Sequence, residues 1–293
     1  MTPGLALTIL AIAVLTAMVV RRQRALAAGE RQWRTTHPVG AAGVVPGAES
    51  IVLDAEGDRG VLLLHGFGDT PQSIARLARA LHASGWSVAA PLLPGHGRTL
   101  EAFQRTTAAD WTDAARASYA ALTARYRSVA IVGLSMGGAL ATRLAADGAP
   151  PAALVLLVPY LHVARKARVL TSAWRAWSLW RAWVPGRPEA SILDPVARRE
   201  SLGYGCATPR LLRELRRVVD AAAAAAPSLA VPTLAVFSTH DYRIAPDVAR
   251  AAFARLGASE KVVHWVERSG HVITVDHDAE RVERLVVDWL QRH

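Results

Sequence analysis

The stretch VAIVGLSMGGAL, residues 129–140, sets Ser135 between Gly133 and Gly137, with Gly138 directly after. The spacing G-x-S-x-G, entered from an apolar strand-like run and left into a helix-like one, describes a sharp strand-to-helix turn that lifts a serine hydroxyl above its sheet. Side chains two residues before and after that serine would collide within the turn, so glycine at both positions relieves the clash. The helix N-terminus beneath Ser135 favours developing negative charge, which points to nucleophilic chemistry rather than a merely structural turn. A serine hydroxyl is nevertheless a weak nucleophile at neutral pH. It needs a base to take its proton and an acid to orient that base.

On turns of this kind the partners follow in the chain order serine, acid, histidine. Among the 10 histidines, His271 in SGHVITVDHD stands in a loop after the last strand-like run and before the final helix, and is the candidate base. His277 reads as an N-terminal helix position, and His65, His82, His96 and His162 come too early in the chain. The acid should follow the preceding strand, as Asp241 does in TLAVFSTHDYRIAP, although a turn or a helix cap would also account for an aspartate there. Asp194 comes too early and Asp276 lies only five residues beyond His271, so Asp241 is preferred to both. A tetrahedral intermediate also needs two N–H donors, each worth about 3 kcal/mol. The loop of LLLHGFGDTP, residues 62–71, offers the backbone N–H of Phe67, and the turn itself offers that of Met136. His65 and Gly66 then shape the loop, and Asp69 caps it. Chemistry of this kind calls for no metal and no organic cofactor.

The elements that must position these residues are legible as an alternation. Short apolar runs (SIVLDA, GVLLLHG, SVAAPLLP, VAIVGLS, AALVLLVP, PTLAVFSTH, KVVHWVE) are separated by helix-like stretches near 71–84, 108–126, 136–147, 246–256 and 278–291. Runs that are apolar throughout suit parallel strands covered on both faces, and the alternation predicts a doubly wound α/β sheet. Between Pro159 and Pro232 the alternation fails. The segment at about 160–205 is expected to form a cap over the carboxyl ends of the strands, with the helix after Pro209 returning to the main body. Trp174, Trp177, Trp180 and Trp183 recur every three residues within it, so on a helix their indoles would fan across a wide face. Such a face either rests on a bilayer or packs between cap and core.

Residues 1–20 carry no charged side chain and are followed at once by RRQR. About twenty helical residues suffice to cross a bilayer core, and cations after the apolar run favour an uncleaved anchor over a signal peptide. By the positive-inside rule the following domain then lies on the cytoplasmic side of a single-pass membrane protein. Residues 21–48, charged and then rich in Gly and Pro, read as a linker to a domain spanning 49–293. The formal net charge of +10 over 293 residues raises nucleic acid as a partner. No zinc-finger, RNP-type or helix-turn-helix pattern supports it, and an arginine-rich composition accounts for the charge. With 52% hydrophobic residues the chain can bury a large core, and a single cysteine, Cys206, allows no internal disulfide.

The motifs HGFGDTP (65–71), PGHG (94–97), GLSMGG (133–138), HDYRIAP (240–246) and SGHVITVDHD (269–278) together make the chain resemble the serine-dependent α/β-hydrolases. Within them it resembles bacterial monoacylglycerol lipases and related small carboxylesterases. The resemblance covers about 50–293 and implies the α/β-hydrolase fold with a helical cap insertion. It also implies a triad of Ser135, Asp241 and His271, oxyanion donors at Phe67 and Met136, and lipidic or small carboxylic esters as substrates. The chain departs from the family at Gly68-Asp69, where Thr-Gly is common, at Ser238, where Gly is common, and at Ile244, where Val is usual. A thioesterase, lactonase or acyltransferase would use the same triad, and a hydrolase-fold binding protein would lack one of its members; none is missing here.

Overall fold

The computed structural model describes residues 2–148 and 150–293. Its first element is one long helix, α1 (Pro3–Thr36). The helix runs on past the expected anchor at 1–20 and through most of the expected linker at 21–48. Arg, Gln, Ala, Leu and Glu in 21–34 are strong helix formers, and an i,i+4 pair of Arg34 with Glu30 supports the last turn. The helix stops where Pro38 forbids its predecessor the helical conformation, so only 37–48 is irregular.

Next come β1 (Ile51–Leu53), β2 (Arg59–Leu64), α2 (Ala75–Ala83), β3 (Ser87–Ala90), α3 (Leu100–Arg105), α4 (Ala108–Arg125), β4 (Ser128–Leu134), α5 (Met136–Ala146) and β5 (Leu154–Leu157). An insertion follows, made of α6 (Arg165–Ser172), α7 (Trp174–Trp177), β6 (Val184–Pro185), α8 (Pro188–Ser191), α9 (Pro195–Glu200) and β7 (Cys206–Ala207). The chain then returns through α10 (Pro209–Ala225), β8 (Thr233–Ser238), α11 (Pro246–Ala254), β9 (Lys261–Val266) and α12 (Ala279–Arg292).

The main sheet has 7 strands in the order β1-β3-β2-β4-β5-β8-β9. All neighbours are parallel except the β1–β3 pair at one edge. Both faces of the central strands are covered, which is why those strands read as unbroken apolar runs. On β2, Leu62 and Leu64 join the core formed with Trp111, Leu140 and Leu211, while Val61 and Leu63 face the layer holding Leu77, Val282 and Trp289. The α/β-hydrolase expectation holds in its main lines. Helix α10 packs on α5 as part of the body, as the break after Pro209 implied.

The insertion is less regular than its tryptophan spacing implied. A single helix through all four indoles does not form: α6 ends at Ser172, α7 is one turn, and hydrogen-bonded turns carry the chain to Val184. The indoles consequently separate. Trp177 donates to Leu170 O at 2.7 Å, Trp183 donates to Ala25 O of α1 at 3.1 Å, and Trp180 is left 54% exposed.

Candidate active site

Ser135 occupies the junction of β4 and α5 with φ 54° and ψ −111°, a left-handed conformation that costs a non-glycine residue on the order of 1–3 kcal/mol. The surroundings enforce it. A Cβ at position 133 would lie 2.3 Å from Gly137 O, and one at position 137 would lie 2.0 Å from Leu64 O. The backbone N–H of Ser135 donates to Leu157 O at 2.9 Å, and Ser135 O accepts from Tyr160 N at 3.1 Å. The end of β5 thus holds the strained residue through both its N–H and its carbonyl, and the clash inferred from the glycine spacing is physical.

His271 comes from the loop between β9 and α12, and Asp241 from the turn after β8. The His271 ring spans the gap between Ser135 and Asp241, with Nε2 2.8 Å from Ser135 Oγ and Nδ1 2.7 Å from Asp241 Oδ2. All three side chains are buried or nearly so. The second carboxylate oxygen of Asp241 accepts from Arg243 N at 2.8 Å and Ile244 N at 3.1 Å, so it forms the turn and faces the imidazole at once. Burial pushes the Asp241 carboxyl up, but the His271 charge and hydrogen bond and the two backbone donors outweigh it, leaving its pKa below the ordinary carboxylate value.

The glycine-containing loop after β2 lies against this line. Phe67 borders the same cavity as Ser135, and its ring is held by Phe103 and Trp111 at centroid distances of 5.2 and 5.7 Å. Neither its N–H nor that of Met136 has a protein acceptor among the described residues. His65 shapes the loop as expected: its Nδ1 lies 2.9 Å from Gly66 O and its Nε2 accepts from Leu93 N at 3.1 Å. Burial holds its pKa down at about 4, which keeps the ring neutral. Asp69 accepts from Thr70 N at 2.8 Å, and burial raises its carboxyl to about 6.

The two rival aspartates have other tasks. Asp194 caps α9 by accepting from Val196 N. Asp276 accepts 4 backbone N–H bonds, from Leu193, Asp194, Gly270 and His277, at 2.7–2.9 Å. It thereby ties the insertion to the His271 loop, and Val272 N adds a bond to Ser191 O at 2.9 Å. Sequence reading weighed Asp276 only as an alternative acid. Its closeness to His271 was the available signal, but partners some eighty residues away left no local trace. Ser238, one of the departures, donates to Ser269 O and accepts from His240 N, so its hydroxyl binds the two loops together.

A cavity opens at Ser135 and His271, roofed by the insertion. Arg187, Arg198 and Arg243 line it opposite the single acid Asp69. Tyr160, Gly186, Arg187 and Leu215 also line a second, larger chamber walled by Leu170, Trp177 and Trp180 of the insertion. Among the described residues, no group of three or more potential ligands is placed to hold a metal ion.

Comparison with known proteins agrees with this architecture. The chain is 28% identical over 256 residues to a thermostable monoacylglycerol lipase of Bacillus sp. (strain H-257), covering 85% of this chain and 97% of the relative. It is 27% identical over 239 residues to a carboxylesterase of Bacillus subtilis (strain 168), covering 80% and 94%. Among solved structures, one from a study of the metagenome-derived lipolytic enzymes LipS and LipT matches with TM-score 0.78 and 29% identity, over 85% of this chain and all of that one. The monoacylglycerol lipase of Paleococcus ferrophilus shares the fold, with TM-score 0.70 at 20% identity over 82% of this chain and 97% of that one. The family model described as "Serine aminopeptidase, S33" matches residues 55–278, and the chain, an ester hydrolase of the α/β-hydrolase fold, belongs to that family.

Proposed function

We propose that Ser135, Asp241 and His271 are the nucleophile, the orienting acid and the general base of this ester hydrolase, and that its substrates are monoacylglycerols or comparable medium-chain carboxylic esters. The observation that carries the reading is the unbroken Asp241–His271–Ser135 hydrogen-bonded line at the floor of the capped cavity. Ser135 Oγ attacks the ester carbonyl while His271 Nε2 takes its proton, and Asp241 stabilises the imidazolium. The N–H groups of Phe67 and Met136 receive the negative charge on the carbonyl oxygen. The intermediate collapses as the alcohol leaves with the proton from His271. A water activated by the same ring then cleaves the acyl-enzyme and releases the carboxylic acid.

Ester rather than peptide chemistry is favoured by the lining of the cavity. A free peptide ammonium would meet one acid, Asp69, among three arginines, whereas an acyl chain finds the apolar chamber beyond Tyr160. We place a cap at about 160–205 within a hydrolase domain of 49–293, and read the exposed apolar part of α1, residues 3–20, as a single membrane span. The arginines after it keep the domain on the cytoplasmic side.

The test is hydrolysis of p-nitrophenyl esters and monoacylglycerols, acetyl to palmitoyl, by the wild type and Ser135→Ala. The expected result is turnover that peaks at medium chain length and vanishes in the variant. Cleavage that survives in Ser135→Ala, or no cleavage of any ester by the wild type, overturns the proposal.

A further inference from the structure

The carboxyl half of α1 does not hang free but lies along the hydrolase domain, and the order of its contacts carries information. Counting from Val20, the last residue of the apolar run, the first contact is with the insertion: Trp183 donates to Ala25 O at 3.1 Å. Its indole also packs so closely on Gly29 that a Cβ there would lie 2.6 Å from Nε1. Contacts with the body come further along. Glu101 N donates to Glu30 Oε2 at 2.9 Å and Trp33 Nε1 donates to Arg98 O at 2.8 Å, while the buried Trp33 ring also meets Tyr204, at the far end of the insertion, at 4.6 Å. At about 1.5 Å per residue, Ala25 lies about 8 Å and Trp33 about 20 Å beyond the end of the apolar run. The insertion is therefore the part of the domain that meets α1 nearest the apolar segment, and the start of α3 meets it further along.

The exposed side of the insertion has the composition such a position demands. From Tyr160 to Arg187 the sequence holds five arginines, one lysine and no acidic residue. Among the described residues, Arg168 is the only one of these cations with a carboxylate partner, Asp220. Val169, Leu170 and Trp180 are 62, 54 and 54% exposed beside them. Apolar side chains and an indole among unpaired cations match the boundary between anionic headgroups and acyl chains, and each cation near such a surface favours binding by about fivefold. Arg21, Arg22 and Arg24 on α1 have no carboxylate partner among the described residues and add to the same field.

We propose that the α6–α7 side of the insertion docks on the anionic leaflet of the bilayer that holds α1, so that the capped cavity takes its ester from the membrane rather than from solution. This rests on the reading of residues 3–20 as a membrane span. The rigid joint between Trp183 and α1 fixes the height of the cap above the lipid, so docking needs no second anchor.

The experiment uses the full chain reconstituted in vesicles of phosphatidylcholine with 0 or about 30% phosphatidylglycerol, a range that spans the effect of surface charge. An environment-sensitive fluorophore is placed at position 169 through Val169→Cys in a Cys206→Ala background. Its emission should shift to the blue in anionic vesicles, and much less in neutral ones. Independently, Lys166→Glu/Val169→Asp/Arg175→Glu should keep turnover of a soluble short-chain ester within about twofold while losing about tenfold or more with monoacylglycerol carried in anionic vesicles. A label that reports water while the chain floats with the vesicles overturns the docking and leaves the span intact. A chain that does not float overturns the span and the docking with it. If the triple variant fails to turn over the soluble ester, the labelled protein alone decides.

Discussion

The turn at Ser135 and the insertion above it are built by opposite means. At the turn, backbone holds backbone: glycines at 133 and 137 leave no room for a Cβ, and the end of β5 bonds both the N–H and the carbonyl of the serine. In the insertion, side chains hold short pieces of helix that have little regular structure of their own. Trp177 and Trp183 donate to main-chain carbonyls, and Asp276 gathers four backbone N–H groups from two loops. The lesson is that the chemistry sits where geometry is over-determined and selectivity where it is adjustable. Substitutions should therefore be all-or-none at the turn and graded in the insertion.

The largest effect is expected at the turn. Ser135→Ala should lower kcat by about 10⁴-fold or more with an unchanged or higher Tm, because it removes the proposed nucleophile and keeps the fold. Gly137→Ala should lose both activity and stability, by about 3 kcal/mol or more in urea unfolding, since its methyl group would have to displace the β2 carbonyl at Leu64. A well-folded, active Gly137→Ala protein would break the contrast between the two regions.

Where the insertion meets the His271 loop, Asp276→Ala leaves four backbone donors without their acceptor. It should cost about 2–4 kcal/mol and more than tenfold in kcat, while Asp276→Asn keeps part of both. Asp69 offers a pH-dependent test. Its folded pKa of about 6 exceeds the ordinary 3.8, so between those values the unfolded chain loses the proton first and stability falls as pH rises. Asp69→Asn should flatten that fall and raise stability at neutral pH by at most about 3 kcal/mol, less whatever partial exposure screens, as read from urea midpoints at pH 4 and 7. Trp180→Leu should be the mildest, within about 0.5 kcal/mol, because its indole is exposed and has no hydrogen-bond partner among the described residues.

What could be read from the sequence follows the same divide. The turn, the strands and the order Ser135, Asp241, His271 were legible because local backbone requirements leave fixed residue types at fixed spacing. The helix through 21–36 was missed because a run of cations after an apolar segment reads as a boundary, although arginine is itself a strong helix former. The tryptophan period was legible, but the break at Ala173 was not: it depends on where Trp177 and Trp183 find acceptors, at Leu170 and at Ala25 of a distant helix. The role of Asp276 belongs to the same class, since half of its partners lie far away in the chain.

Asp276 also makes the molecule a mechanical interlock. The carboxylate that steadies Gly270, next to His271, steadies Leu193 and Asp194 in the roof. Lifting the roof away from the sheet strips that buried carboxylate of two donors and loosens the loop carrying the imidazole in the same movement. A cavity opened wide enough to load through residues 191–194 is thus one in which His271, the proposed proton acceptor for Ser135, is no longer held in line, and closing the roof restores the alignment.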